Sequence, residues 1–293
     1  MEGIIEKSSS NHKLVLDNYC KLIICHEEIL SRLVKCFIDE ANHLTLNEIE
    51  RLIKEKTSFQ HLDKENFIPY SGKTNYDFLC TIDLSPRIYL NVEIQNDPNP
   101  GYSLITRGLT YISRIMTTQW KNEYYDYDYN HIKKVYSIWI LPQSAKKNDG
   151  HINAYKIDEI NINGTTIERI ETYDKGVLIM IYLNKEHDTN EKYIIYDNIL
   201  TPLVTFLNNV LNYQEKRKIL KKYGFKVIDK EIEKMCNLGE MIEREAKQKE
   251  RRVMNLEHLQ NVMHELQCSL EKAMDILKLT DEERKEIKKY FQA

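Results

Sequence analysis

Two acidic residues, Asp77 and Glu93, lie on either side of a turn in a stretch that reads as a β-hairpin. Its arms, residues 76–83 and 88–95, are rich in β-branched and aromatic side chains, and Leu84-Ser85-Pro86-Arg87 between them carries a turn signal. Strand side chains alternate between faces, so Asp77, Leu79, Thr81 and Asp83 share one face, while Glu93 and Gln95 share one face of the partner arm. A turn centred near Ser85 sets residues whose numbers add to about 170 opposite one another. Asp77 and Glu93 then become cross-strand neighbours, with Cβ atoms about 4.5–5.5 Å apart. Like charges so placed repel, and a divalent cation between them reverses the sign of that cost. Hard oxygen ligands on a rigid hairpin, with positions left for water and phosphate, suit Mg²⁺, with Mn²⁺ as a substitute. A register one residue off would instead turn one or both carboxylates to water.

The surrounding elements must hold that hairpin. Residues 1–12 are polar, and 14–40 show helical periodicity through Leu22, Leu30, Leu33 and Phe37. A second helix is expected from Thr45 to about Lys56, with Glu48 completing a capping box. Ser71-Gly72-Lys73-Thr74 lacks the first glycine and the following helix of a phosphate-binding loop. Lys73 nevertheless lies just before Asp77, either approaching a phosphate there or standing in water as a turn lysine. After the hairpin, residues 96–101 form a turn cluster, and a helix over 103–119 should pack Leu104, Leu109, Ile112 and Met116 on the sheet. Arg107 and Tyr111, four apart, share a face of that helix. Arg107 can bind a phosphate bidentately beside the acid pair, or simply stack on Tyr111. The tyrosine-rich stretch 124–130, interleaved with aspartates, reads as a partly exposed loop. Val135–Leu141 reads as a central strand buried on both faces, followed by strands near 153–160, 165–172 and 177–183, with turn signals at Asn163-Gly164 and Lys175-Gly176.

Asp77, the short hairpin, Glu93-Ile94-Gln95, a helix bearing Arg107 and Tyr111 and then an apolar strand resemble the PD-(D/E)XK nuclease family transposases, the recombination-promoting nuclease group of bacteria. The resemblance runs from about Lys21 to Leu183, with a looser similarity in the helical tail. It implies a restriction-endonuclease-like α/β core, a mixed central sheet flanked by helices. It also implies Asp77 and Glu93 as metal ligands, Gln95 as the third catalytic position, and Arg107 and Tyr111 on the substrate side, where Lys73 would join them by its place just before Asp77. Most of the superfamily has Lys where Gln95 stands; an amide can hydrogen-bond water or phosphate but brings no positive charge. In this family the leading helical layer sometimes lends an acid, for which Glu40 is the best placed here, although a solvated helix-end carboxylate accounts for it equally simply.

The chain has 293 residues, of which 42% are hydrophobic and 30% charged, as a globular protein requires. The formal net charge is −3, so nucleic-acid contact must come from local patches rather than overall charge. No apolar run reaches membrane-spanning length, and the N-terminus lacks signal-peptide order, so a cytoplasmic location without membrane contact is expected. The six cysteines form no C-x-x-C pair and read as free thiols. The nuclease-like core is assigned to 13–212, and 213–293 to a helical extension containing a long helix and a terminal helical hairpin. Between 215 and 252 Lys and Arg number thirteen against eight Asp and Glu, either a nucleic-acid surface or a solvated helix face. Apolar residues from Ile228 to Met263 follow a broken heptad that could pair two chains into a homo-oligomer. Ser269, and Thr280 with Glu283, mark the starts of two closing helices.

These expectations converge on a Mg²⁺-dependent DNA endonuclease, with RNA as a substrate that the same carboxylates could serve. The resemblance links such cleavage to recombination or mobile elements. The alternative, from a different class, is a catalytically degraded nuclease-fold protein acting as a nucleic-acid-binding or oligomeric assembly module. The discriminating feature is whether Asp77, Glu93 and Gln95 converge near Arg107 or splay to opposite faces.

Overall fold

The computed structural model describes residues 21, 23–24, 26–55, 59–61, 65–68, 72–120, 122–125, 128–143, 148, 150–183, 197–207, 211–226, 233, 254–280, 283–285 and 287–288, with side chains at all of these except 59–61, 65–68, 72–73, 197–198 and 200. The chain divides into two compact units, Met1–Glu233 and Lys234–Ala293.

The first unit is built on a six-stranded mixed sheet. Its strands are β1 (Phe59–His61), β4 (Phe78–Asp83), β5 (Arg87–Ile94), β6 (Val135–Leu141), β7 (Ile152–Lys156) and β8 (Gly176–Tyr182), in spatial order β1-β4-β5-β6-β8-β7. A separate hairpin joins β2 (Glu65–Ile68) to β3 (Gly72–Asn75). β5, β6 and β8 run parallel, while β4 on β5, β1 on β4 and β7 on β8 are antiparallel. Every residue of β6 is buried, as its unbroken apolar run requires of a central strand covered on both faces.

Helices cover the two faces. α1 (Glu27–Phe37) starts at His26, whose Nδ1 accepts the Glu28 N–H at 3.3 Å. The expected continuous helix over 14–40 is therefore interrupted, because the His26 backbone is extended and opens a new helix. α2 (Leu46–Lys54) begins with the expected capping box: Glu48 Oε2 accepts the Thr45 N–H at 2.7 Å and Thr45 Oγ1 accepts the Glu48 N–H at 3.3 Å. On the opposite face α3 (Leu104–Thr118) packs Tyr111, Ile112 and Ile115 with Trp139, Leu178 and Met180. The helix comes so close to β8 that a Cβ on Gly108 would meet the Leu178 methyls at 2.5 and 2.9 Å. Gly108→Val is accordingly expected to lower stability by about 1–3 kcal/mol through overpacking, measured by urea denaturation.

Two further expectations change. Residues 165–172 form no strand; they end in the short helix α4 (Ile170–Tyr173). β8 already has β6 on one side and β7 on the other, so a further strand here would have to join the outer edge of β7, which no strand pairs with among the described residues. β7 stops at Lys156 rather than running to 160. The first compact unit extends to Glu233, and in it α5 (Asp197–Leu207) and α6 (Tyr213–Lys222) are tied together and to α1. Lys216 Nζ donates to the Phe206 carbonyl at 3.1 Å, and Arg32 Nη2 to the Tyr223 carbonyl at 3.1 Å.

In the second unit a helical stretch over 254–265 and α7 (Leu270–Ile276) bury Leu259, Ala273, Met274 and Ile287 together. Ser269 caps α7, and Thr280 with Glu283 forms the second expected box. Most of the heptad seam and of the basic stretch 215–252 lies outside the described residues. Cys36, Cys80 and Cys268 are not joined in disulfides; Cys20, Cys25 and Cys236 lie outside the described residues. Among the described residues no helix is long and apolar enough to cross a membrane.

Candidate functional site

The β4–β5 ladder pairs Phe78 with Val92, Leu79 with Asn91, Thr81 with Tyr89 and Asp83 with Arg87, the register expected from a turn at Ser85. The ladder ends at Phe78, and Asp77 sits in a bend one residue before it rather than within the strand. Glu93, in β5, faces Asp77 across this open end. The two segments clasp each other: the Asp77 N–H donates to Glu93 Oε1 at 3.1 Å, and the Ile94 N–H donates to Asp77 Oδ2 at 3.0 Å. Each carboxylate therefore fixes the backbone that carries the other. The second Asp77 oxygen, Oδ1, is paired with Lys21 Nζ at 3.0 Å.

Glu93 is only 4% exposed. Burial pushes its carboxyl up to about 8, and the Asp77 charge adds to the rise; the Asp77 N–H, Arg107 and Lys21 pull the other way. A polar chain runs inward from it through the sheet. With the Asn91 amide oriented to satisfy both its ends, Nδ2 donates to Glu93 Oε1 at 2.9 Å and to the Phe78 carbonyl at 3.0 Å, while Oδ1 accepts from Ser137 Oγ at 2.9 Å. Trp139 Nε1 donates to the same Ser137 oxygen at 2.9 Å. Asn91 and Ser137 are fully buried. A satisfied buried network of this kind fixes the Glu93 rotamer more firmly than packing alone.

Gln95 and Arg107 stand beside this pair. Gln95 Nε2 donates to the Asp97 carbonyl at 2.7 Å, and its Oε1 lies 3.5 Å from Arg107 Nη1. Its amide is thus held by the following turn. Arg107 Nε and Nη2 donate to the Tyr111 hydroxyl at 3.1 and 2.7 Å, and Nη1 donates to the Tyr102 hydroxyl at 3.0 Å. The guanidinium lies 5.2 and 5.3 Å from the Tyr111 and Trp139 ring centres. Arg107 and Tyr111 share the helix face read from their spacing, and the arginine's donors point mainly to tyrosine oxygens. Arg114, one further turn pair along α3, donates to Thr74 Oγ1 of β3. The Lys73 backbone, in β3, pairs with Phe67 of β2, and its side chain lies outside those described.

Glu40 does not join the acid pair. It accepts the Tyr136 hydroxyl at 2.7 Å and lies 3.8 Å from Lys134 Nζ. Alternation along β6 puts Tyr136 on the face opposite Trp139, so Glu40 serves the other side of the sheet. It lines a cavity of about 510 Å³ with Arg87, Lys134 and Asp174 at the strand ends remote from Glu93.

Sequence reasoning missed Lys21, Asn91 and Ser137. Asn91 and Ser137 did leave a trace, each being a polar residue in the middle of an apolar strand run. Lys21 left none, since only tertiary packing brings it to Asp77. Among the described residues no third His, Cys, Asp or Glu gathers with the pair into a metal-binding group of three or more. That donor set fits Mg²⁺, which uses one or two carboxylates and keeps several waters, better than Zn²⁺, which wants three or four protein ligands.

No family model, no curated protein and no solved structure matches the chain significantly.

Proposed function

We propose that this chain is a metal-dependent endonuclease of the PD-(D/E)XK type, hydrolysing phosphodiester bonds in DNA with Mg²⁺ or Mn²⁺. The observation that carries this reading is the reciprocal clasp of Asp77 and Glu93 at the open end of the hairpin, with a lysine ammonium on the second Asp77 oxygen. Glu93 is buried and Asp77 half-buried, and like charges held this close repel unless a proton or a cation lies between them. Asp77 and Glu93 would hold the cation, which when bound lowers the pKa of an attacking water and offsets charge building on the phosphate. The Asn91–Ser137–Trp139 chain keeps Glu93 oriented, and Ile94 N–H does the same for Asp77.

The positive charge that Gln95 cannot supply comes in this reading from Lys21, which reaches the same acid pair from a helical segment far off in sequence. Gln95 instead anchors the turn through Asp97 and meets Arg107. Lys21→Ala is expected to reduce nicking by about 10²-fold, as removal of one electrostatic stabiliser does, whereas Gln95→Ala should cost much less. Single-turnover nicking of a supercoiled plasmid measures both. Equal losses in the two variants would return the cationic role to position 95 or deny it to both.

The second reading, a nuclease-fold protein without catalysis, draws on one observation. Arg107 spends its donors on Tyr111 and Tyr102, so a phosphate would have to displace tyrosine hydroxyls. Binding of duplex DNA with no cleavage at any Mg²⁺ or Mn²⁺ concentration would select it. A link to recombination or mobile elements rests on the resemblance in the motif.

A further inference from the structure

A different part of the first unit carries an inference independent of the nuclease reading. β7 is the last strand of the sheet, bonded to β8 on one side, and among the described residues no strand pairs with its other side. An open edge is a template for a further strand. The chain that follows β7 is unusually apolar for its exposure. Ile157, Ile160, Ile162, Ile167 and Ile170 are all between 55% and 97% exposed. Five such isoleucines between 157 and 170 exceed the scattered single apolar residues of an ordinary surface. Their β-branched, alternating pattern with Asn163-Gly164 carries strand propensity, yet among the described residues none of 157–169 joins a strand.

We infer that β7 and residues 157–162 pair with the same segment of a second copy of this chain, antiparallel about a two-fold axis through Ile157. The residue pattern favours a copy of itself over an unrelated strand. About that axis Ile152 lies opposite Ile162, Ala154 opposite Ile160, and Lys156 opposite Asp158 of the other copy. All six residues share one strand face, so apolar meets apolar and cation meets anion in each half. Moving the axis by one residue sets Lys156 against its own copy, or Asp158 against its own, which repels. Tyr155, of opposite parity, already packs on the Trp139 core, which leaves the face of Ile152, Ala154 and Lys156 turned away from α3. Residues 157–162 have no strand partner among the described residues and take up extended pairing when the second copy docks. The interface is isologous, as two-fold dimers require, and adds β-strands edge to edge.

The test is sedimentation equilibrium of the full chain between about 1 and 100 µM. The wild type is expected to dimerise in that range. Ile160→Asp with Ile162→Asp should raise the dissociation constant by about 100-fold or more, with unchanged circular dichroism because both side chains are exposed. Lys156→Asp alone and Asp158→Lys alone should each weaken the dimer by about tenfold, and the two together should restore it. That rescue distinguishes loss of the pairing from a folding defect. A wild type that stays monomeric at 100 µM overturns the inference. So does a dimer indifferent to the isoleucine changes, or a charge swap without rescue.

Discussion

Asp77→Ala and Glu93→Ala are each expected to reduce Mg²⁺-dependent nicking of supercoiled plasmid by about three orders of magnitude or more. Metal-assisted stabilisation of the transition-state charge supplies several kcal/mol, and every ~1.4 kcal/mol is a factor of ten in rate. Each substitution removes more than one ligand. Asp77→Ala deletes the acceptor of the Ile94 N–H and leaves Lys21 beside an uncompensated site. Glu93→Ala deletes the acceptor of the Asp77 N–H and of the Asn91 amide. Their effects should not add, because both empty the same ion site; the double variant should be no worse than either single one. Full activity in both variants, or cleavage that persists in excess chelator, would contradict the assignment.

The second large effect is on stability and has a definite sign. Burial and the neighbouring Asp77 charge raise the Glu93 carboxyl to about 8 in the folded chain. Between the ordinary carboxyl value and about 8 the folded chain keeps a proton that the unfolded chain has released. Stability is therefore complete at acid pH and falls as pH rises through that window, by ~1.4 kcal/mol per pH unit at most and a few kcal/mol in all. Urea denaturation in chelator at pH 5 and pH 8 measures it. Glu93→Gln removes the titrating group and should abolish most of this slope, leaving the variant more stable than wild type at pH 8. Added Mg²⁺ should stabilise wild type most near pH 8 and little at pH 5, because binding must displace the Glu93 proton. A metal-free wild type whose stability is flat from pH 5 to 8, or a Glu93→Gln variant with the same slope, would contradict the raised carboxyl.

The hairpin was legible in the sequence because its information is local. Ser85-Pro86 sets the turn, the alternating arms set the faces, and together they set the register that the ladder adopts from Phe78–Val92 to Asp83–Arg87. The α3 face carrying Arg107 and Tyr111, the buried strand β6 and the Thr45–Glu48 box were legible for the same reason. What escaped depended on distant partners. Lys21 reaches Asp77 only through tertiary packing. β1 and the β2–β3 hairpin are short and polar, so neither periodicity nor β-propensity marks them. Residues 165–172 failed in the opposite way. Thr165, Thr166 and Ile167 have strand propensity, but every edge of β8 is taken. The propensity is real and unmet among the described residues, which ties this error to the open edge of β7.

The central claim is that Asp77 and Glu93 share one divalent cation. Its most direct measurement is Mn²⁺ binding at pH 8, followed by electron paramagnetic resonance of free Mn²⁺ in titrations of the wild type and the two alanine variants. One Mn²⁺ bound per chain in the wild type, lost in both Asp77→Ala and Glu93→Ala and displaced by excess Mg²⁺, is the expected result. No binding by the wild type, or binding unchanged when either carboxylate is removed, would contradict it.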